Sequence, residues 1–320
     1  MAAPGAATIA PAVAAAHAVL TGTQPVSGTT VQRTPREVIF EFNQAVGGTP
    51  GAVRVYDAKG REVDDGDVTH PGGRQHWMGV GLPAKLPDGT YTATYRVISA
   101  DTHVVYGGLV FNVGHESSSS QTVAGLINRN RAGPVTNVAF GVVRVLSYIS
   151  IALVVGVLAF LVFVAGPAVR STAFERRAWF LVATGAGIGV LAGVLGILLQ
   201  GAEAAGRSLW GSLRWSVIST VLDSRFGWVW GLRSLLLALT LLVLAALRPR
   251  RRRLSLAWLG LVAVYLVISP ALAGHASVQG PVWAFFLSDA LHVAAASVWV
   301  GGVAAIVIAL PLATRSVEPA

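Results

Sequence analysis

Two periodicities divide the chain. Over residues 17–115 apolar and polar positions alternate with a period of two, as in Glu37-Val38-Ile39-Phe40-Glu41-Phe42, Ala52–Tyr56, Thr90–Val97 and Leu109–Val113. Successive side chains of a strand leave opposite faces, so each run reads as a strand with one buried face. Turn formers punctuate them: Pro25-Val26-Ser27-Gly28, Gly47–Gly51, Ala58-Lys59-Gly60, Pro71-Gly72-Gly73 and Pro87-Asp88-Gly89. About seven short strands in some 100 residues predict an all-β Greek-key sandwich or small barrel.

Gly114-His115-Glu116 and the serine run Ser117–Ser120 mark a flexible linker over residues 116–137. The period then changes. Continuous apolar runs at 138–168, 178–200, 226–247, 254–273 and 282–312 are each near or above the ~20 residues a helix needs to cross a bilayer. The expected second part is therefore an all-α polytopic transmembrane domain of about five helices over 138–313, with a tail at 314–320. The stretch 207–222, with Trp210, Arg214 and Trp215, reads as an interfacial amphipathic segment.

Charge sharpens this division. Residues 17–115 hold eight Lys or Arg and nine Asp or Glu, whereas the remainder holds sixteen Arg, no Lys and six acids. The basic excess thus belongs to the apolar part, where it orients helices in a membrane. If the β-part lies outside, nine arginines (170, 176, 177, 248, 250–253, 315) fall inside and five (129, 131, 207, 214, 225) outside. The expected placement is the cytoplasmic membrane, multi-pass, with the β-domain outside the cell and the C-terminus inside. No basic face with interleaved aromatics is present, so nucleic acid is excluded as a partner. The lack of cysteine excludes disulfides, thiolate metal sites and cysteine nucleophiles.

Residues 1–16 are small and apolar and read as the remnant of a signal peptide, with Ala14-Ala15-Ala16 an acceptable cleavage site before His17. A mature N-terminal histidine closes a chelate through its amine and ring. Asp101-Thr102-His103 places an acid and an imidazole two positions apart, on one face if the backbone is extended. Amine, imidazoles and carboxylate make a tetragonal N,O set suited to Cu(II). On spacing alone, Asp101 reads equally as a turn cap and His103 as a solvated loop residue.

His17-Ala18-Val19-Leu20, Gln24–Gly28, Pro35–Val38 and Phe40-Glu41-Phe42, with Ser99-Ala100-Asp101-Thr102-His103-Val104-Val105-Tyr106-Gly107, resemble a CopC-type periplasmic copper-binding domain. The resemblance covers about 100 residues. It implies a cupredoxin- or immunoglobulin-like sandwich with Cu(II) held by His17, Asp101 and His103. Some members also hold Cu(I) in a methionine-rich loop. Here that stretch offers only Met78, His70 and His76, so no Cu(I) site is expected, and His70, His76 and His115 read as solvated.

Within the apolar runs the exceptional residues are Arg144, Arg233, Asp289 and His292. A charge at mid-bilayer costs roughly 2.5–3.5 kcal/mol on insertion scales, so such residues face a cavity or a partner. Asp289 and His292 share a helical face, and His275 lies at the outer end of the preceding span. The three read either as a membrane copper pathway or, for Asp289, as the counter-charge of an arginine at the same depth. Gly274-His275-Ala276, Pro281 and Asp289–Gly302 (DALHVAAASVWVGG) are similar to the CopD-type membrane domain, with Gly301 and Gly302 allowing close helix packing. CopD domains have more than five spans, so this part resembles an incomplete one.

Together these features predict a copper-homeostasis or resistance protein and not an enzyme. It would capture Cu(II) outside the cell and deliver it to, or import it across, the membrane. Its partners would be copper, the lipid bilayer and periplasmic or membrane copper-handling proteins. Two other readings stay open: a membrane-anchored sequestration or sensing protein, and an oxidase built on a histidine-chelated copper.

Overall fold

The computed structural model describes residues 17–129, 133–165, 172–206, 210, 213–247, 252–309 and 311. Eight strands come first: β1 (Leu20–Gln24), β2 (Thr30–Val31), β3 (Glu37–Phe42), β4 (Val53–Tyr56), β5 (Val68–Thr69), β6 (Trp77–Gly81), β7 (Gly89–Ile98) and β8 (Val104–Val113). They form two four-stranded sheets, ordered β1-β3-β6-β5 and β2-β8-β7-β4, and every pairing is antiparallel except β2 with β8. The alternation seen in the sequence drives the two sheets together. Phe40, Phe42, Val55, Met78, Val80 and Phe111 lie between them, all essentially inaccessible to solvent.

Helices follow: α1 (Val123–Arg129), α2 (Pro134–Ala159), α3 (Thr172–Ala205), α4 (Trp215–Asp223), α5 (Arg225–Leu247), α6 (Arg252–Leu272) and α7 (Val282–Ile308). Among the described residues, five helices are long and apolar enough to cross a membrane: Val135–Val164, Ala173–Ala205, Arg225–Ala246, Arg253–Leu272 and Val282–Ile308. The segment expected at the interface is partly described; within it α4 buries Val217 and Val221 and leaves Trp215 exposed.

The stretch expected to be a flexible linker is in good part fastened to the sandwich. Thr90 N donates to Ser117 Oγ at 2.9 Å and Ser117 N to Thr90 Oγ1 at 3.0 Å, which stitches the first serine to β7. Next, α1 buries Leu126 completely, and Arg129 donates to the Gly60 carbonyl at 3.1 Å. A single buried leucine and a few backbone acceptors are enough to dock a segment that composition alone reads as loose.

Close packing of α7 on α2 rests on glycine. A Cβ at Gly301 would collide with the Ala152 carbonyl and stand 2.7 Å from the Gly156 Cα, whereas one at Gly302 would enter open space. Only the first of the two glycines expected at a helix contact is therefore in one. Gly301→Val is expected to lower thermal stability of the detergent-solubilised chain by about 1–3 kcal/mol, as overpacking does, and Gly302→Ala to leave it unchanged. Equal melting shifts for the two variants would refute this packing.

Candidate metal centre

Three elements converge at the end of the sandwich nearest the helices. His17 leads into β1. Asp101 and His103 sit in the tight turn joining β7 to β8, and His275 opens a single 3₁₀ turn, His275–Ser277, between α6 and α7. The turn is not extended backbone: Thr102 adopts φ 72°, the left-handed region that non-glycine residues rarely enter. Asp101 and His103 therefore converge because the chain folds back between them, and not through the two-residue repeat of a strand. The turn is closed by Ser99 N donating to the His103 carbonyl at 2.8 Å and Thr102 N to the Ser99 carbonyl at 2.9 Å.

Helices hold this turn from outside. Thr102 Oγ1 donates to the Ala273 carbonyl at 2.7 Å, and Gln200 Nε2 donates to the Thr102 carbonyl at 3.0 Å. One strand back, Arg96 Nη1 donates to the Glu203 carbonyl at 3.1 Å. Gln200 was not singled out in the sequence. Its signal was there: a lone amide at the end of an apolar span, where a polar side chain needs a partner.

Asp101 Oδ2 is the hub. It lies 3.6 Å from His17 Nε2, 3.3 Å from His103 Nδ1 and 3.4 Å from His275 Nε2, with the Asp101 side chain fully buried and the three imidazoles partly open. All four donor atoms lie within 4.8 Å of one another. The three separations from Asp101 Oδ2 match the edges of a four-coordinate shell whose bonds are about 2.0–2.2 Å. Neither Asp101 Oδ2 nor His103 Nδ1 has a hydrogen-bond partner, although both are buried. Buried polar atoms normally find partners, so lone pairs left over around a common point mark a place for a cation. The donors are hard carboxylate and borderline imidazole, which suits Cu(II) or Zn(II) and not a soft ion.

His17 presents Nε2 to the cluster. A chelate that also uses its own amine closes only through Nδ1, so the arrangement expected for a processed terminus requires this ring to turn over. Met78 is 1% exposed in the sandwich core and offers no sulfur to solvent. His76 and His115 are exposed, and His70 Nδ1 lies 2.6 Å from the Trp77 carbonyl.

His275 was expected in a membrane pathway with Asp289 and His292. It joins the cluster of the β-domain. With Asp289 and His292 it also borders a cavity of about 440 Å³. Asp289 does not neutralise Arg233, whose Nε and Nη1 donate to Ser269 and Ser147 hydroxyls at 3.0 and 2.7 Å.

Burial pushes the Asp101 carboxyl up, but His103 and Ser99 beside it more than offset this and hold it below its ordinary value of 3.8. Burial is also the main cause that lowers His275 from 6.5, aided by the charge of His103 and opposed by Asp101. In both cases the unfolded chain takes up protons more readily, so stability is present above the ordinary value and is lost as pH falls through the folded one. The metal-free chain is therefore expected to lose thermal stability in two windows, below 6.5 and below 3.8. His275→Gln should flatten the first and Asp101→Asn the second. Melting curves with the same pH dependence in both variants and the parent would contradict this.

A β-sandwich bearing a four-donor cluster, set on a bundle of membrane-length helices, defines a membrane metal-handling protein. Comparison with known families gives that class its metal. Residues 20–114 match the CopC domain and residues 135–284 match the copper resistance protein D-like, N-terminal domain. The chain thus joins a CopC domain to a CopD-like one, and both families concern copper rather than catalysis. It is 28% identical over 306 residues to the copper transport protein CutJ of Bacillus subtilis (strain 168), covering 94% of this chain. The alignment takes in 55% of CutJ, so the chain spans about half the length of that relative. Among solved structures, CopC from Methylosinus trichosporium OB3b is 23% identical and covers 33% of this chain and 98% of its own, with a TM-score of 0.27. PcoC, a methionine-rich copper resistance protein from Escherichia coli, is 22% identical and covers 30% and 98%, with a TM-score of 0.26.

Proposed function

We propose that this protein captures Cu(II) outside the cell at a centre shared by its two domains and passes it inward through the helical domain. The observation that carries the proposal is His275. A residue of the helix-connecting turn stands 3.4 Å from the same carboxylate that faces His17 and His103. An ion held there is already in contact with the membrane domain, so transfer is ligand exchange within one site. The next donors inward are Asp289 and His292, one helical turn apart on α7 and bordering the cavity that His275 also borders.

The arginine distribution supports a β-domain outside and a C-terminus inside. The likeness to a copper transport protein supports movement of the ion rather than storage alone. Cleavage before His17 would add an amine donor, raising the nitrogen count of the centre. Copper itself is the cargo, and its ligands are His17, Asp101, His103 and His275.

The test separates capture from passage. In proteoliposomes containing the full chain, His292→Ala should leave equilibrium Cu(II) binding within about twofold of the parent, because ligands outside a metal's own shell and its immediate supports contribute little to affinity. The same variant should slow copper uptake into the vesicle at least about tenfold, since it removes a donor from the inward route. Binding without uptake in the parent chain would restore the sequestration or sensing reading, and loss of binding in His292→Ala would contradict the assignment of the outer centre.

A further inference from the structure

Behind the metal cluster, between the β7–β8 turn and the near ends of α2, α5 and α6, lies a cavity of about 220 Å³. Its wall carries two guanidiniums, Arg144 and Arg233, and two imidazoles, His103 and His275, but no carboxylate. Arg233 is only 4% exposed. Its Nε and Nη1 meet hydroxyls of Ser269 and Ser147, and the Trp230 ring lies 5.0 Å from its Cζ. These neighbours satisfy hydrogen-bond geometry and leave the charge uncompensated.

Among the described residues neither arginine has an acidic partner. Asp101 is turned toward three imidazoles, and Asp289 borders the other cavity. A buried cation without a counter-charge is strongly disfavoured, and a second arginine at the rim of the same cavity increases the local positive potential. A bound cation at the cluster would increase it again. The volume suits one chloride- or hydrogencarbonate-sized ion and a few waters, each taking about 30 Å³ in the liquid, and is too small for a nucleotide or a lipid headgroup.

We propose that this cavity is a binding site for a small inorganic anion, held by Arg233 and Ser147 with Arg144 at the rim, directly behind the cation centre. The anion supplies the counter-charge that the fold omits. The site rests on the arginines and the cavity, and it stands whether or not the cluster takes copper.

The test uses the full chain, copper-free, in detergent micelles with gluconate as the background anion, and chloride as the probe. Chloride NMR line width should show saturable broadening that excess bromide reverses. Arg233→Gln should abolish the broadening. Arg144→Gln, at an exposed position on α2, should weaken chloride binding severalfold. A parent chain without saturable broadening overturns the proposal whatever the variants do. So does broadening of parental strength and midpoint in Arg144→Gln together with a folded Arg233→Gln.

Discussion

Asp101→Ala is expected to lower Cu(II) affinity by at least about 100-fold, more than the loss of a residue that merely supports a ligand produces. Asp101 brings the only negative charge among the four donors, and its Oδ2 is the atom on which the other three converge. Imidazoles alone bind a dication without neutralising it, in a region that already holds two arginines. Asp101→Asn keeps the shape and removes the charge, so it should fall nearly as far. Chelator-competition titration of the solubilised chain measures the change, and an affinity within threefold of the parent would remove the centre from this turn. Copper-free melting temperatures read alongside would separate loss of a ligand from loss of the fold.

His275→Ala is the second large effect. If the ion is shared between domains, losing this ring should weaken binding about tenfold or more and change the electron paramagnetic resonance spectrum by one nitrogen. If His275 is only a neighbour, neither reading will move. The ring is 45% exposed and ends no packed core, so its loss leaves the helices as they are. The two substitutions also differ in kind: Asp101→Ala removes the hub, and His275→Ala removes the one donor that the helical part brings to the cluster.

Much of this architecture was legible in the residues, and the gaps have physical reasons. Strands β3, β4 and β7 announce themselves because their alternation includes large apolar side chains. Strand β6 does not, since Trp77-Met78-Gly79-Val80-Gly81 puts glycine where polar residues would mark an outer face. Gly79 is needed there: a Cβ would stand 2.9 Å from the Pro71 ring and 3.2 Å from the Val38 carbonyl. Five membrane-length helices were countable from hydropathy alone, because lipid imposes one length on every span.

The site was half legible. His17, Asp101 and His103 could be named because the motif around them is local and specific. That they meet through a left-handed Thr102 could not be read, since threonine gives no sign of positive φ. His275 was visible as an unusual residue near Asp289 and His292, with which it borders a cavity, but its place beside Asp101 could not be read. Its partner lies 174 positions earlier in the chain, and no periodicity reports contacts between a hairpin turn and a helix connection. Gln200 stood out as a lone amide at the end of an apolar span, but nothing in the sequence named Thr102 as its partner.

The stitching of Ser117 to β7 and the docking of α1 change what the two halves can be asked to do. A freely tethered receptor could sweep the space above the membrane and work at any leash length. This sandwich is moored, with its Asp101–His103 turn fastened to helix ends through Gln200 and Ala273. If the proposed centre holds, cutting the chain between the halves would leave three of the four donors on one piece and the His275 imidazole on the other.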